Sequence, residues 1–372
     1  MISFSALRAR RACAIAIAVL LAGCAGGGGV RVIDTSDSIY EIPVSQTGIA
    51  VEPIAQVNGR GNLILHGGGA MSEALRKLIV AHAGPAPHLC LIDSANEERA
   101  KIYRLFDDFA GVRLTVLDLE SGDVARPEVL AALRDCTGYF FGGGAPQRLS
   151  EIMRPGGRDS FALGEIRRRF ERDGAVVSGA SAGAMIAGPL TLCECGANSS
   201  VQAVVEGKLF KAPGFDFLDQ NVLIDAHFFK RDLLGRHMFA LARDRIPVGV
   251  GIDEGAAVLV PGDGGPWRAL GGGRVAIVRL PDGADTQDLS GFGYSLLYPG
   301  DRFDPVSGRV TVSAKRTPAT VALAAAGRDD VSDESGSIRY EFLTTPETRG
   351  YVRDGTTTIE TTLDRRVSVA PI

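Results

Sequence analysis

Histidine is scarce in this chain. Of its 372 residues only five are histidine: His66, His82, His88, His227 and His237. A general base working near neutral pH therefore has few places to come from. No Cys-x-x-Cys pair occurs, and the close pair Cys193 and Cys195 has no histidine at useful ligand spacing. No metal is expected from such a pattern. The glycine runs form neither a phosphate loop nor a dinucleotide fingerprint, since Gly67-Gly68-Gly69 lacks the later glycine, so no cofactor is implied. A basic excess is also missing. Forty Lys and Arg stand against 44 Asp and Glu, a formal charge of −4, which argues against a nucleic-acid partner. The N-terminal apolar run, Ala12 to Ala22, is far short of the ~20 residues needed to span a bilayer. There is no internal repeat.

With 45% hydrophobic and 23% charged residues the bulk of the chain is globular. The length suggests about two domains, or one large α/β domain with an appendage. The first 23 residues read as an address. Arg8, Arg10 and Arg11 precede the short apolar run, as in a secretory signal. Leu21-Ala22-Gly23-Cys24 follows, a lipobox that resembles that of bacterial lipoproteins. The resemblance implies lipidation of Cys24 and a periplasm-facing anchor in the outer membrane, since Ala25 rather than Asp comes next. Loss of the leader leaves 37 basic against 44 acidic residues, a charge of −7, so acyl chains and not charge would hold the protein to the membrane. Residues 24–60, glycine-rich and then polar, read as a linker with one strand.

From residue 61 to 304 the pattern is that of a wound, mostly parallel α/β sheet. Short apolar runs (Leu63 to His66, His88 to Ile92, Val112 to Leu117, Thr137 to Phe141, Ala175 to Val177) alternate with helical periodicity. Helices are expected after Gly69, over Asn96 to Ala110 (Ile102, Leu105, Phe106 and Phe109 on one face), over Pro127 to Leu133, Phe161 to Arg172 and Asp232 to Ala242. Ligands in such sheets bind at the carboxyl ends of strands, where the glycine runs fall. The remainder, 305–372, reads as a β-rich extension, with strands expected at Val310 to Ser313, Thr320 to Leu323, Ile338 to Leu343 and Thr356 to Leu363.

Ser181 is the candidate nucleophile. It sits in Gly179-Ala180-Ser181-Ala182-Gly183, after a strand and before a small-residue helix. A sharp strand-to-helix turn crowds the backbone and needs such neighbours. His227 follows a strand in Ile224-Asp225-Ala226-His227, and Asp253 or Glu254 at the end of Val248 to Ile252 would orient the imidazole. A different reading, of α/β-hydrolase type, places the acid before the histidine and would use Asp216 with His237. A third is a lipoprotein binding module without turnover.

Four separated stretches resemble the cyanophycinase and dipeptidase E family of serine peptidases: FFGGGAPQRL (Phe140 to Leu149), SGASAGAMIA (Ser178 to Ala187), DAHFFKRDLLGR (Asp225 to Arg236) and GVGIDEGAAV (Gly249 to Val258). LYPGDRFD (Leu297 to Asp304) resembles the end of the cyanophycinase core. The resemblance implies a fold related to class I glutamine amidotransferase domains. It implies a Ser181-His227-Glu254 triad, an oxyanion hole from the N–H groups of Ala182 and Gly144, and a peptide or isopeptide substrate. Arg231 and Arg236 are the expected carboxylate binders, with Gln147 as a further substrate contact. A homodimer is left open. The departures lie in substrate binding: Ala145-Pro146 stand where cyanophycinases have Asp-Gln, Ala226 replaces a Gln, and Leu233 takes the place of the middle of three Arg. Cyanophycin specificity is therefore in doubt. Cys90, Cys136, Cys193 and Cys195 allow disulfides whose pairing spacing cannot assign.

Overall fold

A computed structural model describes residues 31–32, 39–42, 59–95, 102–194, 203–204, 206–218, 221–313, 316–318, 328–332, 338–344, 349–353, 359–362 and 365–371. The leader, Cys24, Cys195 and the strand expected at Thr320 to Leu323 lie outside the described residues. The chain opens with β1 (Arg31–Val32) and β2 (Ile39–Ile42). Then come β3 (Leu63–His66), α1 (Glu73–His82), β4 (His88–Ile92), β5 (Arg113–Leu117), α2 (Pro127–Asp135), β6 (Gly138–Phe141), α3 (Pro146–Met153), α4 (Phe161–Asp173), β7 (Val176–Ala180) and α5 (Ala182–Met185). Strands β5, β4, β6, β7 and β3 lie side by side in that order, all parallel. They read as continuous apolar runs because helices cover both faces. In β4, Cys90 and Ile92 join the core beneath α2 and α4, while Leu89 and Leu91 join the one beneath α1. The Ser72 hydroxyl caps α1 through the Leu75 N–H, and the Ser160 hydroxyl caps α4 through the Leu163 N–H.

A second sheet starts with β10 (Val222–Ala226), α6 (Leu234–Asp244) and β11 (Val248–Ile252), a second parallel unit. It continues antiparallel through β14 (Val275–Arg279) and β15 (Phe292–Leu297). Between β11 and β14 the chain leaves this sheet. β12 (Ala256–Val260) pairs antiparallel with β3 of the first sheet, and β13 (Trp267–Gly271) pairs with β12. Residues 253–255 are thus the crossing from one sheet to the other. A hairpin of β8 (Leu190–Glu194) and β9 (Leu209–Pro213) packs near β10 and α3.

Three local readings need correction or addition. The segment expected as a helix over 96–110 is described from residue 102, where it is a 3-10 turn, Ile102–Leu105, followed by turns. Arg76 of α1 takes the Leu105 carbonyl, and the Phe109 N–H bonds to Phe106 rather than to Leu105. Ile102, Phe106 and Phe109 are still buried, so these residues belong to the core on a backbone that is not an α-helix, while Leu105 is only half-buried. Within 24–60, β1 and β2 form a hairpin, and β2 extends the first sheet by pairing with β5. From the C-terminal extension, Arg365–Pro371 pairs with β15, and Ile338–Thr344 pairs with that strand in turn. Cys90 and Cys136 form a disulfide beneath α2. No helix among the described residues is long and apolar enough to cross a membrane.

Candidate active site

Ser181 leaves β7 with φ 55° and ψ −119°, a conformation that costs a non-glycine residue about 1–3 kcal/mol and needs outside support. The Ser181 N–H donates to the His66 carbonyl at 3.0 Å, and the Ser181 carbonyl accepts the N–H groups of Ala184 and Met185. The flanking glycines are forced by close backbone approach. A Cβ on Gly179 would stand 2.1 Å from the Gly183 carbonyl oxygen, and one on Gly183 2.1 Å from that of Phe141.

His227 follows β10 and also has a positive φ, 55°. Its Nε2 is 2.8 Å from Ser181 Oγ and its Nδ1 is 2.7 Å from Glu254 Oε1. The three groups form one hydrogen-bonded chain. Chiefly the hydrogen bond from His227, then its charge and those of Lys230 and Arg231, hold the Glu254 carboxyl below the usual carboxylate range. It is therefore ionised at neutral pH and accepts from Nδ1–H, which leaves Nε2 free to take the serine proton. The neighbouring Asp253 has a different place. Its Oδ1 accepts the N–H groups of Phe229 and Lys230 at 3.1 and 3.0 Å, anchoring the turn that carries His227.

Backbone N–H groups without an acceptor among the described residues lie along the cleft beside the serine. Gly142 and Ala145 give their N–H groups to the Ile92 and Ala95 carbonyls. Between them, the N–H groups of Gly143 and Gly144 meet no acceptor among the described residues, and neither does that of Ala182. Gly144 has φ +139°, and a Cβ on Gly143 would stand 3.7 Å from Ser181 Oγ. Ala182, Gly144 and also Gly143 are thus the donors available to an oxyanion. A cleft of about 280 Å³ opens beside Ser181 and His227, walled by Met185, Leu192, Cys193 and Ala226 on its apolar side.

Comparison with known proteins gives the family of the chain. The family model described as peptidase family S51 matches residues 63–265, more than half of the chain. The chain belongs to peptidase family S51. A cyanophycinase of Synechococcus elongatus is 28% identical over 267 residues, covering 69% of this chain and 78% of its own length. A cyanophycinase of Nostoc sp. is 29% identical over 213 residues, covering 55% and 68%. Among solved structures, a peptidase from an acI-B1 Actinobacterium superposes with a TM-score of 0.49 at 20% identity, over 67% of this chain and 98% of that one. As a member of this family the chain is a serine peptidase, hydrolysing peptide bonds.

The substrate side of this S51 peptidase differs among its three expected contacts. Arg231 is exposed at the mouth of the cleft. Gln147, in the first turn of α3, lines the cleft with its Oε1 buried and without a hydrogen-bond partner among the described residues. Arg236 also lines the cleft, but it is 5% exposed and holds Asp225 with two hydrogen bonds, of 3.1 and 2.6 Å. Leu233 is buried in the core of the second sheet. His237 does not approach Ser181. It is fully buried against Phe228, with Nδ1 3.5 Å from Asp225, and Asp216 sits on the chain after β9 with its carbonyl on Arg167. The serine's imidazole neighbour is His227, so the acid-before-histidine arrangement is not assembled. Sequence reasoning missed the Leu192 and Cys193 wall and the anchoring bonds of Asp253. The first has no local signature. The second was visible only as a pair of adjacent acids.

Proposed function

We propose that this peptidase acts as an exopeptidase or isopeptidase on small peptides, through an acyl-enzyme formed on Ser181. The Ser181–His227–Glu254 chain, at 2.8 and 2.7 Å beside an open cleft, carries the reading. Ser181 Oγ attacks the scissile carbonyl and passes its proton to His227 Nε2. The oxyanion is received by the N–H groups of Ala182 and the Gly143-Gly144 loop. The imidazolium, held by Glu254, then protonates the leaving amine as the C–N bond breaks. Water, deprotonated by His227, hydrolyses the ester and restores the serine. Arg231 offers a cation for a substrate carboxylate. The curated relatives are cyanophycinases, which supports a β-aspartyl bond as one candidate. Ala226 leaves the cleft apolar at one of the positions where the resemblance calls for a hydrogen-bonding side chain.

The reading places the protein in the cell envelope, anchored through a lipidated Cys24. The Cys90–Cys136 disulfide supports that placement, since disulfides persist in oxidising compartments. The test is to incubate the purified protein with dipeptides, β-aspartyl dipeptides and cyanophycin and follow products by mass spectrometry, with a fluorophosphonate probe as the label for Ser181. Labelling of Ser181 with turnover of a small peptide is expected. A protein that neither labels nor cleaves any of them would be a binding module instead.

A further inference from the structure

The backbone of residues 66–68, at the carboxyl end of β3, bonds to two members of the triad and to the residue after the third. The His66 carbonyl accepts the N–H of Ser181 at 3.0 Å. The Gly67 carbonyl accepts the N–H of His227 at 2.7 Å. The Gly68 carbonyl accepts the N–H of Gly255, next to Glu254, at 3.0 Å. Three successive carbonyls thus tie down three segments that arrive from β7, β10 and β11. Two of the residues held this way, Ser181 and His227, have φ of 55°, and non-glycine residues keep such angles only where the surroundings impose them.

The same segment also sets the space. A Cβ on Gly68 would stand 2.2 Å from Cε1 of His227, 2.5 Å from Nε2 and 2.9 Å from Nδ1. The whole working edge of the imidazole therefore packs against Gly68. A Cβ on Gly69 would stand 3.0 Å from Cβ and Oε2 of Glu254. Beneath them the His66 side chain is 1% exposed, and its Nδ1 accepts the Gly68 N–H at 3.3 Å. Burial first, and then the nearby His227, lower the His66 pKa to about 4, so it stays neutral and adds no second cation beside the base.

We propose that Gly68 is a positioning residue of this peptidase, setting the His227 imidazole against Ser181 and Glu254 from the His66–Gly69 backbone. This rests on the Ser-His-Glu reading above. A side chain at 68 must push the ring off one or both partners. Proton transfer needs a heavy-atom separation of about 2.6–3.2 Å, and a misplacement of about 1 Å costs on the order of 10²-fold.

The experiment compares the full-length wild type with Gly68→Ala, Ser181→Ala and Gly111→Ala. Gly111 has a similar left-handed φ, +76°, with nothing within 4 Å of an added Cβ, so it reports backbone strain alone. The readouts are the maximal rate and the half-saturating concentration for fluorophosphonate labelling, the melting temperature, and the downfield proton resonance of the His227–Glu254 hydrogen bond. For Gly68→Ala the labelling rate should fall about 100-fold, with half-saturation little changed and the downfield resonance shifted or lost. Gly111→Ala should label like wild type with a similar loss of melting temperature. A folded Gly68→Ala with wild-type rate and resonance would overturn the inference, provided Ser181→Ala does not label. If Ser181→Ala still labels at the wild-type rate, the triad reading itself fails. Should Gly68→Ala not fold, His66→Ala against His66→Asn decides. Asn keeps an acceptor for the Gly68 N–H and should restore the labelling that Ala loses, and equal labelling of the two would overturn the inference.

Discussion

Removing the Asp225 carboxylate tests whether Arg236 belongs to the core or to the substrate. Asp225 is fully buried; its Oδ1 accepts from Arg236 Nη2 and from the Ala226 N–H, and its Oδ2 from Arg236 Nε. Asp225→Asn keeps the shape and deletes the charge, leaving a guanidinium that is only 6% exposed without its carboxylate. Breaking one side of a buried pair costs about 3–5 kcal/mol. At about 2–4 °C per kcal/mol for a domain of this size, the melting temperature should drop by roughly 6–20 °C. A double-mutant cycle with Arg236→Gln should show a coupling of up to ~3 kcal/mol, because the neutral pair leaves no stranded charge. The pH dependence has a definite sign. Burial pushes the Asp225 carboxyl up, but Arg236, with His237 adding, outweighs it and holds the group below its ordinary 3.8. The pair's stabilisation is then complete above about pH 4 and is lost as pH falls through the lower folded value. The wild-type and Asp225→Asn melting temperatures should therefore converge below pH 4. Calorimetry at pH 7 and on an acid series reads this directly. A cost under ~1 kcal/mol, typical of exposed pairs, would refute the reasoning. It would also mean that Arg236 is solvated from the cleft and available to a substrate carboxylate.

Four further outcomes are expected. Ser181→Ala and His227→Ala should each lower kcat by about 10⁴–10⁶ with no added loss in the double variant; Glu254→Gln should cost less, and Asp253→Asn least, since an amide oxygen still accepts from Phe229 and Lys230; steady-state assays of folded variants check this order. Replacing both Cys90 and Cys136 by Ala should destabilise the protein by about 4 kcal/mol in urea melts, from the loop closed over a sequence separation of 46. Arg231→Ala should raise KM for substrates with a free carboxylate and leave KM for their amides unchanged. On the proposed lipid anchor, wild type should fractionate with detergent-dependent membranes and Cys24→Ala should not, as judged by immunoblot.

The alternating pattern of strands and helices was legible because both of its signals are local. Continuous apolar runs such as Leu89-Cys90-Leu91-Ile92 mark strands buried on two faces, and apolar residues at helical spacing, as over Phe161 to Arg172, mark the helices between them. The small residues around Ser181 were legible for the same reason, since a tight turn leaves no room for side chains there. The 102–109 segment was not, because its hydrogen bonding is set by Arg76, a residue about thirty positions away. The Cys90–Cys136 pairing was open for a similar reason, as spacing carries no information on which cysteines meet.

Local residue patterns carry the α/β alternation, the sharp turn at Ser181, the small set of candidate histidines and the pair of acids at 253–254. How these groups meet depends on the docking of distant elements. Ser181 comes from the first sheet, His227 from the second, and Glu254 from the crossing between them. Which of two adjacent carboxylates faced the imidazole, and which arginine was already bound to Asp225, depended on where β11 hands over to β12 and on how α6 packs beneath β10 and β11. Hydrogen bonds of 2.7–2.8 Å between residues 27 and 46 positions apart follow from the docking of whole elements, and no local pattern of residue types encodes that distance.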